Sequence, residues 1–256
     1  MKFSILISSF NKGKYIEKCI TSCLNQKEKD FEVIVFDNYS TDNTSKILKK
    51  FNNKIKIFKK KKVSNSAALN QIDLINHAFK KSKGKFICLL DADDYFNKNK
   101  LSILKKYFSK KKKINTLFDL PIKSKVSQKK IKFKDKRKIQ KSIWPSIIPT
   151  SSISCKRVFF NNFLKKNFLR KYDNLEIDFR LNVYSRNLNK NYFICKEDLT
   201  YYRQVNDGIM SNIKKFSKKW WIKRLEAHHF MEKLFSKHNK KYNNSFDFLL
   251  TKILSK

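Results

Sequence analysis

An apolar run that ends in three acidic residues, Lys85-Phe86-Ile87-Cys88-Leu89-Leu90-Asp91-Ala92-Asp93-Asp94, is the strongest structural signal in this chain. The run has the length and composition of a buried β-strand. Open α/β sheets place their ligand crevice at the carboxyl ends of strands, so we expect the three acids to lie there. Because Lys and Arg total 60 against 21 Asp and Glu, an acidic cluster stands out. It predicts a divalent metal site that carries a nucleotide diphosphate.

The composition fits a folded protein with a very basic surface. The chain has 256 residues, of which 41% are hydrophobic, enough for one large domain or one domain with a helical appendage. A net charge of +39 raises the hypothesis of a nucleic-acid-binding protein. However, 53 of the 60 basic residues are Lys, whereas base and phosphate recognition favours Arg. We therefore interpret the charge as a solvated surface that attracts anionic substrates or lipid, and nucleic acid as a disfavoured partner.

Cysteine usage and hydropathy both favour a cytoplasmic protein. The five cysteines form no Cys-x-x-Cys pair and lie in apolar segments, which predicts buried, reduced thiols. The first residues are too short an apolar run for a signal peptide, and no apolar stretch reaches 18 residues. We expect neither a membrane span nor an export signal.

Apolar strands alternate with amphipathic helices through the first 110 residues. Strands are predicted at Phe3–Ser8, Phe31–Phe36, Ile55–Phe58 and in the acid-tipped run, and helices at 14–26, 42–51, 69–83 and 98–110. Asp42 or Thr41 is the expected N-cap of the second helix, and Gly84 the expected C-cap residue of the third. This alternation predicts an α/β fold with a doubly wound, mostly parallel sheet flanked by helices.

The second half has weaker signals. Residues 123–141 are lysine-dense and read as an inserted loop or a disordered segment. Residues 144–203 mix short strands with a helix that starts near Leu175, and the last forty residues read as helices. We divide the chain into a domain at 1–211, with a nucleotide-binding half at 1–110 and an acceptor-side half at 111–211, and a basic helical C-terminal extension at 212–256.

Three segments together resemble one known family. Ile5–Asn11 resembles the first strand and nucleotide loop of the inverting family 2 glycosyltransferases with the GT-A fold; Val33–Thr44 resembles their second strand and acidic loop, and Gly84–Asp94 their metal motif. The resemblance implies transfer of a sugar from a nucleotide-diphospho-sugar. We expect the sugar to be linked to UDP. The implied acceptor is a saccharide or a lipid-linked precursor of a surface polysaccharide or lipopolysaccharide.

The same resemblance assigns the donor site. Asp93 is the implied principal ligand of Mn²⁺ or Mg²⁺, and Asp91 binds the metal, its water or the ribose. Asn38 stands where the family has an acid that accepts the ring N–H of uracil, and an amide oxygen retains that ability. The implied nucleotide-binding residues are Ser8, Phe10, Asn11, Asp37, Asn38, Asn76, Asp91 and Arg203.

Two of these assignments come with departures from the family pattern. Counting back from Gly84 places Asn76 on the Asn of a family Arg-Asn pair, with Ile75 in place of the Arg. Arg203 falls in a Tyr-Arg segment that precedes a His in many relatives, where this chain has Val205; Asp207 is a weak substitute.

Sugar transfer needs a base that takes the proton of the acceptor hydroxyl. Asn174–Leu181 resembles the acidic helix start that supplies this base, with Glu176 as first candidate and Asp178 as second. Leu175-Glu176 stands where the family has Glu-Asp. The alternative is that both acids only stabilise the first turn of a helix.

Two further questions stay open from sequence alone. Trp220, Trp221 and neighbouring lysines suit a helix at an anionic membrane interface, here the inner face of the cytoplasmic membrane, but equally a helix packed on the catalytic domain. The departures at Ile75, Leu175 and Val205 also allow a sugar-nucleotide-binding protein of the same fold with impaired catalysis.

Overall fold

The computed structural model describes residues 2–124, 147–166, 171–203, 205, 213–237, 242 and 246–256. Its strands are β1 (Phe3–Ser9), β2 (Phe31–Asp37), β3 (Lys56–Lys59), β4 (Phe86–Asp91), β5 (Tyr95–Phe96), β6 (Thr116–Asp119), β7 (Ile122–Ser124), β8 (Ile153–Lys156), β9 (Tyr192–Cys195) and β10 (Thr200–Arg203). Its helices are α1 (Ile16–Leu24), α2 (Thr44–Lys49), α3 (Ala67–Lys81), α4 (Lys100–Lys110), α5 (Arg157–Leu164), α6 (Ile177–Val183), α7 (Lys218–Ser236) and α8 (Phe246–Leu254).

A seven-stranded sheet with the order β3-β2-β1-β4-β8-β6-β9 forms the centre of the molecule. The four strands from the first half are parallel to one another, and β8 runs antiparallel to both of its neighbours. The predicted mostly parallel sheet flanked by helices is confirmed. Because the parallel strands share one direction, the loops after β1, β2 and β4 meet at the same edge.

Side chains of the central strands alternate between two cores, one on each face of the sheet. Phe3, Ile5 and Ile7 of β1 face the core that contains α1, α2 and α4. Leu6 faces the other core, which contains α3, α5, α6 and α7. Both faces are therefore covered, which explains why these strands read as continuous apolar runs rather than alternating ones.

The later strands complete the seven-stranded sheet and form a second, smaller sheet. Strands β5, β10 and β7 form a three-stranded sheet in the order β5-β10-β7, which brings Thr200–Arg203 next to the acid motif. The helix expected near Leu175 begins at Ile177, and a π-helical turn at Tyr184–Asn189 follows it. The lysine-dense segment predicted at 123–141 lies largely outside the described residues.

The C-terminal helices were predicted, and α7 packs into the main core. Ala227, Phe230, Met231 and Leu234 of α7 are buried in the same cluster as residues of α3 and α6. Trp220 and Trp221 are half-buried near the start of the helix. Within the described ranges, no helix is both long enough and apolar enough to cross a membrane.

Two local predictions need correction. Helix α3 ends at Lys81 with Ser82 as C-cap, so Gly84 does not cap it. Gly84 instead lies against β1, where a Cβ would stand 2.5 Å from Ser4 Oγ. The N-cap of α2 is Asn43, while the Asp42 carboxylate accepts the Thr44 N–H and the Gly13 N–H. All five cysteines are buried and free, as predicted.

Candidate active site

Hydrogen bonds join the loops that follow β1 and β2. Asn11 has a φ of 51°, a conformation that Asn tolerates better than most residues. Its backbone N–H donates to Ser40 Oγ at 2.8 Å, and its Oδ1 accepts the Thr41 N–H at 2.8 Å. Asn11, predicted as a nucleotide contact, thus fixes the position of the two loops that face the expected nucleotide.

Asp37 and Asn38, at the end of β2, are both buried. The Asp37 carboxylate accepts hydrogen bonds from the backbone N–H and the hydroxyl of Ser40. The side-chain amide of Asn38 donates to the carbonyl of Lys60 at 2.7 Å. Asp37 is therefore held by its own loop, and the oxygen of Asn38 is the group that can accept a ring N–H.

Ser8 and Phe10 lie beside these loops. Ser8 pairs with Asp91 in the register of β1 and β4, so the two predicted residues are neighbours at the sheet edge. Phe10 is 39% exposed, and Lys62 Nζ lies 4.2 Å from its ring centroid. An exposed ring at this position can stack on a nucleobase.

Asp93, the expected metal ligand, lies between two cations. Its Oδ2 is 3.1 Å from Lys12 Nζ, and both side chains are about 15% exposed (14% for Lys12 and 15% for Asp93). Arg203 Nη1 donates to the backbone carbonyl of Asp93 at 2.7 Å, and its guanidinium lies 4.8 Å from the ring centroid of Tyr95. Arg203, an expected nucleotide-binding residue, thus contacts the acid motif.

The other two acids of the motif have neutral hydrogen-bond donors. Asp91 Oδ1 accepts from Gln71 Nε2 at 2.8 Å. Asp94 is fully buried and accepts from Ser151 Oγ and from the backbone N–H of Arg203. Asp94 therefore joins β10 and the 150–152 turn to the motif.

Crowding of carboxylates raises the pKa of two of them. Removal from water, and then the charges of Asp93 and Asp178, raise the pKa of Asp91 to about 7. The pKa of Asp94 is raised well above its usual value by burial and by Asp93 and Asp91. The raised pKa values express the cost of placing several carboxylate charges close together, and a bound divalent cation would lower that cost.

The two base candidates have different surroundings at the start of α6. Both Glu176 oxygens lie 2.6 Å from Lys223 Nζ of α7. Asp178 accepts the Phe179 N–H at 2.6 Å and is half-buried. Burial and the charge of Glu176 raise the pKa of Asp178 to about 7, against the lowering effect of Lys223. Of the two acids, Asp178 is the one whose charge is felt at Asp91.

Comparison with known proteins identifies the family of this chain. The sequence matches the family described as Glycosyl transferase family 2 over residues 4–193. The chain belongs to this family. It is 36% identical over 103 residues to the poly(ribitol-phosphate) beta-N-acetylglucosaminyltransferase TarS of Staphylococcus aureus, which covers 40% of this chain and 18% of TarS. It is 28% identical over 226 residues to TarP of the same species, which covers 82% of this chain and 65% of TarP.

Solved structures support the same fold. The TarS 1–349 complex with UDP-GlcNAc superposes with a TM-score of 0.68 at 19% identity, over 100% of this chain and 70% of that one. A mannosyltransferase from Pyrobaculum calidifontis, solved with GDP-Man and Mn²⁺, gives 0.57 at 12% identity, over 99% and 68%. The predicted GT-A fold and family are confirmed. The chain spans less than two thirds of the length of TarS and of TarP.

Asn76, the position taken from the family pattern, is half-buried on α3. Ile75 is 1% exposed and belongs to the core, so the matching Arg of the family would point into the interior here. Gln71, which contacts Asp91, lies five residues earlier, about 7.5 Å along the helix axis. Gln71, near the N-terminal end of α3, is thus the residue of this helix that contacts the acid motif.

The other two departures from the family pattern are also located. Leu175 is fully buried in the core, directly before Glu176. Val205 is half-buried two residues after Arg203. Asp207, the weak substitute for a family His, lies outside the described residues.

Four residues of this family 2 site were not found from the sequence. Lys12 and Gln71 lie within the residues that match the family, but a single Lys or Gln in a polar chain does not indicate a functional site. Ser151 and Lys223 come from segments far away in the sequence. Their contacts with Asp94 and Glu176 span 57 and 47 residues.

Proposed function

We propose that this family 2 protein is a metal-dependent inverting glycosyltransferase that uses a UDP-linked sugar. The observation that carries the proposal is the convergence of Asn38, Asp91, Asp93 and Arg203 at one edge of the sheet. A sugar nucleotide requires a contact for its nucleoside and charged groups for its diphosphate in one crevice, and this convergence supports that assignment.

The donor would bind with its nucleobase at the loops after β1 and β2. Phe10 offers a ring for stacking, and the Asn38 oxygen accepts the ring N–H. Arg203 and Lys12, both adjacent to Asp93, supply positive charge for the diphosphate. Ser8 lies between these two parts of the donor site.

The carboxylates at this edge fit a hard divalent cation. In the described ranges there is no group of three potential metal-ligating side chains. A Mg²⁺ or Mn²⁺ site needs only one or two carboxylates, because phosphate oxygens and water complete the coordination. Asp93 would be the principal ligand and Asp91 the second. When bound, the metal would stabilise the negative charge that develops on the departing diphosphate.

Asp178 is the best-supported base, with Glu176 as the second candidate. In the proposed step, Asp178 accepts the proton of the acceptor hydroxyl, whose oxygen forms a bond to the anomeric carbon. The bond from that carbon to the diphosphate breaks, and its electron pair stays on the phosphate oxygen. A pKa of about 7 suits a general base at neutral pH. The side chain of Glu176 is occupied by Lys223.

The acceptor would be a hydroxyl of a surface polysaccharide or lipopolysaccharide precursor. Two relatives are named for poly(ribitol-phosphate), and a chain with a net charge of +39 would attract such an anionic polymer. The proposal of a cytoplasmic location rests on the five buried, free cysteines. Peripheral contact with the inner face of the membrane is compatible with Phe216, which is 63% exposed beside Trp220.

Calorimetric titration of UDP with and without Mn²⁺ tests donor binding. We expect the native protein to bind UDP more tightly with Mn²⁺, and Asp93→Ala to lose the dependence on metal. Glu17→Ala, which removes an acid that is 59% exposed on α1, is the matched control and should bind as the native protein does. Absence of UDP binding by the native protein would contradict the proposal.

Measurements on the native protein and on Asp93→Ala also separate the proposed enzyme from a catalytically impaired protein and from a nucleic-acid-binding protein. A protein with impaired catalysis would bind UDP but release none from a UDP-sugar. A nucleic-acid-binding protein would bind any duplex in a salt-sensitive manner, and Asp93→Ala would not weaken that binding.

A further inference from the structure

Helix α7 reaches the acceptor side of the candidate site although it lies beyond the residues that match the family. The match ends at residue 193, and α7 spans Lys218–Ser236. Its carboxylate Glu226 accepts two hydrogen bonds from Asn174, from the backbone N–H and from Nδ2, each at 2.8 Å. One turn earlier, Lys223 binds Glu176. The helix therefore holds the segment that leads into α6 at two points.

The ion pair between Lys223 and Glu176 is well shielded from water. The two side chains are 14% and 10% exposed, and both carboxylate oxygens lie 2.6 Å from the ammonium. A shielded charge pair is stronger than a surface pair, and removal of one partner leaves the other charge uncompensated. Glu176 is thus committed to Lys223 in this structure.

The pair also determines the charge beside Asp178. The charges of Glu176, on the same segment, and of Lys223, on α7, shift the pKa of Asp178. The charge of Asp178 in turn raises the pKa of Asp91 on β4 and of Tyr202 on β10. Lys223 is the cation of this set. Without it, two acids two residues apart in sequence would compete for the same proton.

We infer that Lys223 is a positioning residue that holds Glu176 out of proton transfer and leaves Asp178 to accept the proton of the acceptor hydroxyl. The inference rests on the proposed function. It assigns a part of the acceptor side to a helix that the family match does not include. Because Lys223 and Glu176 interact through their charges, we expect the effect of a substitution to depend on the charge that is removed rather than on side-chain size.

Three variants test the inference with UDP-GlcNAc as the probe. Lys223→Met should lower the rate of UDP release roughly 10- to 100-fold, because misplacement of a catalytic group costs rates of this order. Affinity for UDP should stay within about twofold, since the nucleotide contacts lie elsewhere. Lys223→Arg keeps the charge and should retain most of the rate.

The double variant Glu176→Gln/Lys223→Met separates positioning from a general structural effect. Both charges are then absent and the side chains have similar size, so we expect the rate to recover above that of Lys223→Met alone. A double variant that is as slow as Lys223→Met, or a Lys223→Met protein with the native rate, would overturn the inference. A melting temperature measured for each variant checks that the proteins are folded.

Failure of the proposed function would look different. If Asp178→Asn releases UDP at the native rate, then Asp178 is not the base and the proposed function needs revision. If Asp178→Asn is inactive while Lys223→Met is unaffected, the proposed function stands and the inference about Lys223 fails.

Discussion

The two halves of the candidate site are held in different ways. On the donor side, Asn11, Asp37 and Ser40 contact one another across loops that directly follow neighbouring parallel strands. On the acceptor side, Glu176 depends on Lys223, which is 47 residues later in the chain. The donor side is a property of the sheet edge, whereas the acceptor side is assembled from distant helices. The difference indicates that the acceptor side is the part that single substitutions can alter without loss of nucleotide binding.

The largest effect is expected for Asp178→Asn. Loss of a general base lowers turnover by about 10²- to 10⁴-fold, while UDP affinity should remain that of the native protein. The rate of UDP release from UDP-GlcNAc and a UDP titration measure the two halves separately. A parallel loss of rate and affinity would show that the two halves are not independent.

The pH dependence of turnover belongs to the same comparison. An Asp base must be ionised, and the pKa of Asp178 is raised to about 7. The rate should therefore fall as the pH decreases below about 7, rather than below about 4 as for an ordinary Asp. A flat profile between pH 5 and pH 8 would contradict this assignment.

The next effect concerns a buried polar cluster that joins α4 to β6, β10 and the 150–152 turn. Lys100 of α4 is fully buried; its Nζ donates to Asp119 at 2.7 Å, to the Ser151 carbonyl at 2.8 Å and to Thr200 Oγ1 at 2.6 Å. Lys100→Met leaves Asp119 as an uncompensated buried charge, so the free energy of unfolding should drop by about 3–5 kcal/mol.

Lys105→Met is the matched control on the same helix. Lys105 is 45% exposed and pairs with Glu28, so its loss should cost less than about 1 kcal/mol. Chemical denaturation of both variants measures the difference. Equal stability of the two variants would show that the buried cluster contributes no more to the free energy of unfolding than the surface ion pair does.

A smaller effect is expected at two glycines that flank the parallel strands. At Gly84→Ala the new Cβ would stand 2.6 Å from the backbone of Phe3, which cannot rotate away. At Gly13→Ala the new Cβ would meet the end of the Asn43 side chain, which can rotate away. We expect a loss of about 1–3 kcal/mol at Gly84 and a smaller loss at Gly13. Thermal unfolding measures both, and a larger loss at Gly13 would contradict the comparison.

The smallest effect concerns the C-terminal helices. Burial lowers the pKa of His228 to about 4, against the attraction of Asp247. A His in the unfolded chain titrates near ~6.5, so protonation favours unfolding and stability is lost as the pH decreases from about 6.5 toward 4. The loss should reach about 1 kcal/mol at pH 5.5. His228→Gln should remove this part of the slope, whereas His229→Gln, a half-exposed neighbour, should not.

The sequence was sufficient to locate the strands that carry the proposed donor-side residues, because the signals of these strands are local. Apolar runs with flanking polar residues locate β1, β2 and β4, and parallel strands bring Asp37, Asn38 and Asp91 together without further information. In α3, counting from Gly84 selected Asn76, and that assignment stays a prediction. The structure adds Gln71, near the start of the helix, as a contact of Asp91 that the count did not select.

The acceptor side could be predicted only as a choice between Glu176 and Asp178. Their sequence context is the same, and what distinguishes them is the position of Lys223, a tertiary contact that no local pattern contains. The division into a domain at 1–211 and an extension at 212–256 stays a prediction. It followed from composition, which does not reveal that Phe230 and Met231 are fully buried.

The packing of α7 limits how sequences can be exchanged between relatives during evolution or in the laboratory. Phe230 of α7 lies against Tyr172 and Phe179, on both sides of the segment that carries the base candidates. A recombination point placed between α6 and α7 would therefore separate two surfaces that pack against each other. The unit that can be inherited or grafted intact includes both helices, so variation in acceptor choice should be tied to variation in the C-terminal helix.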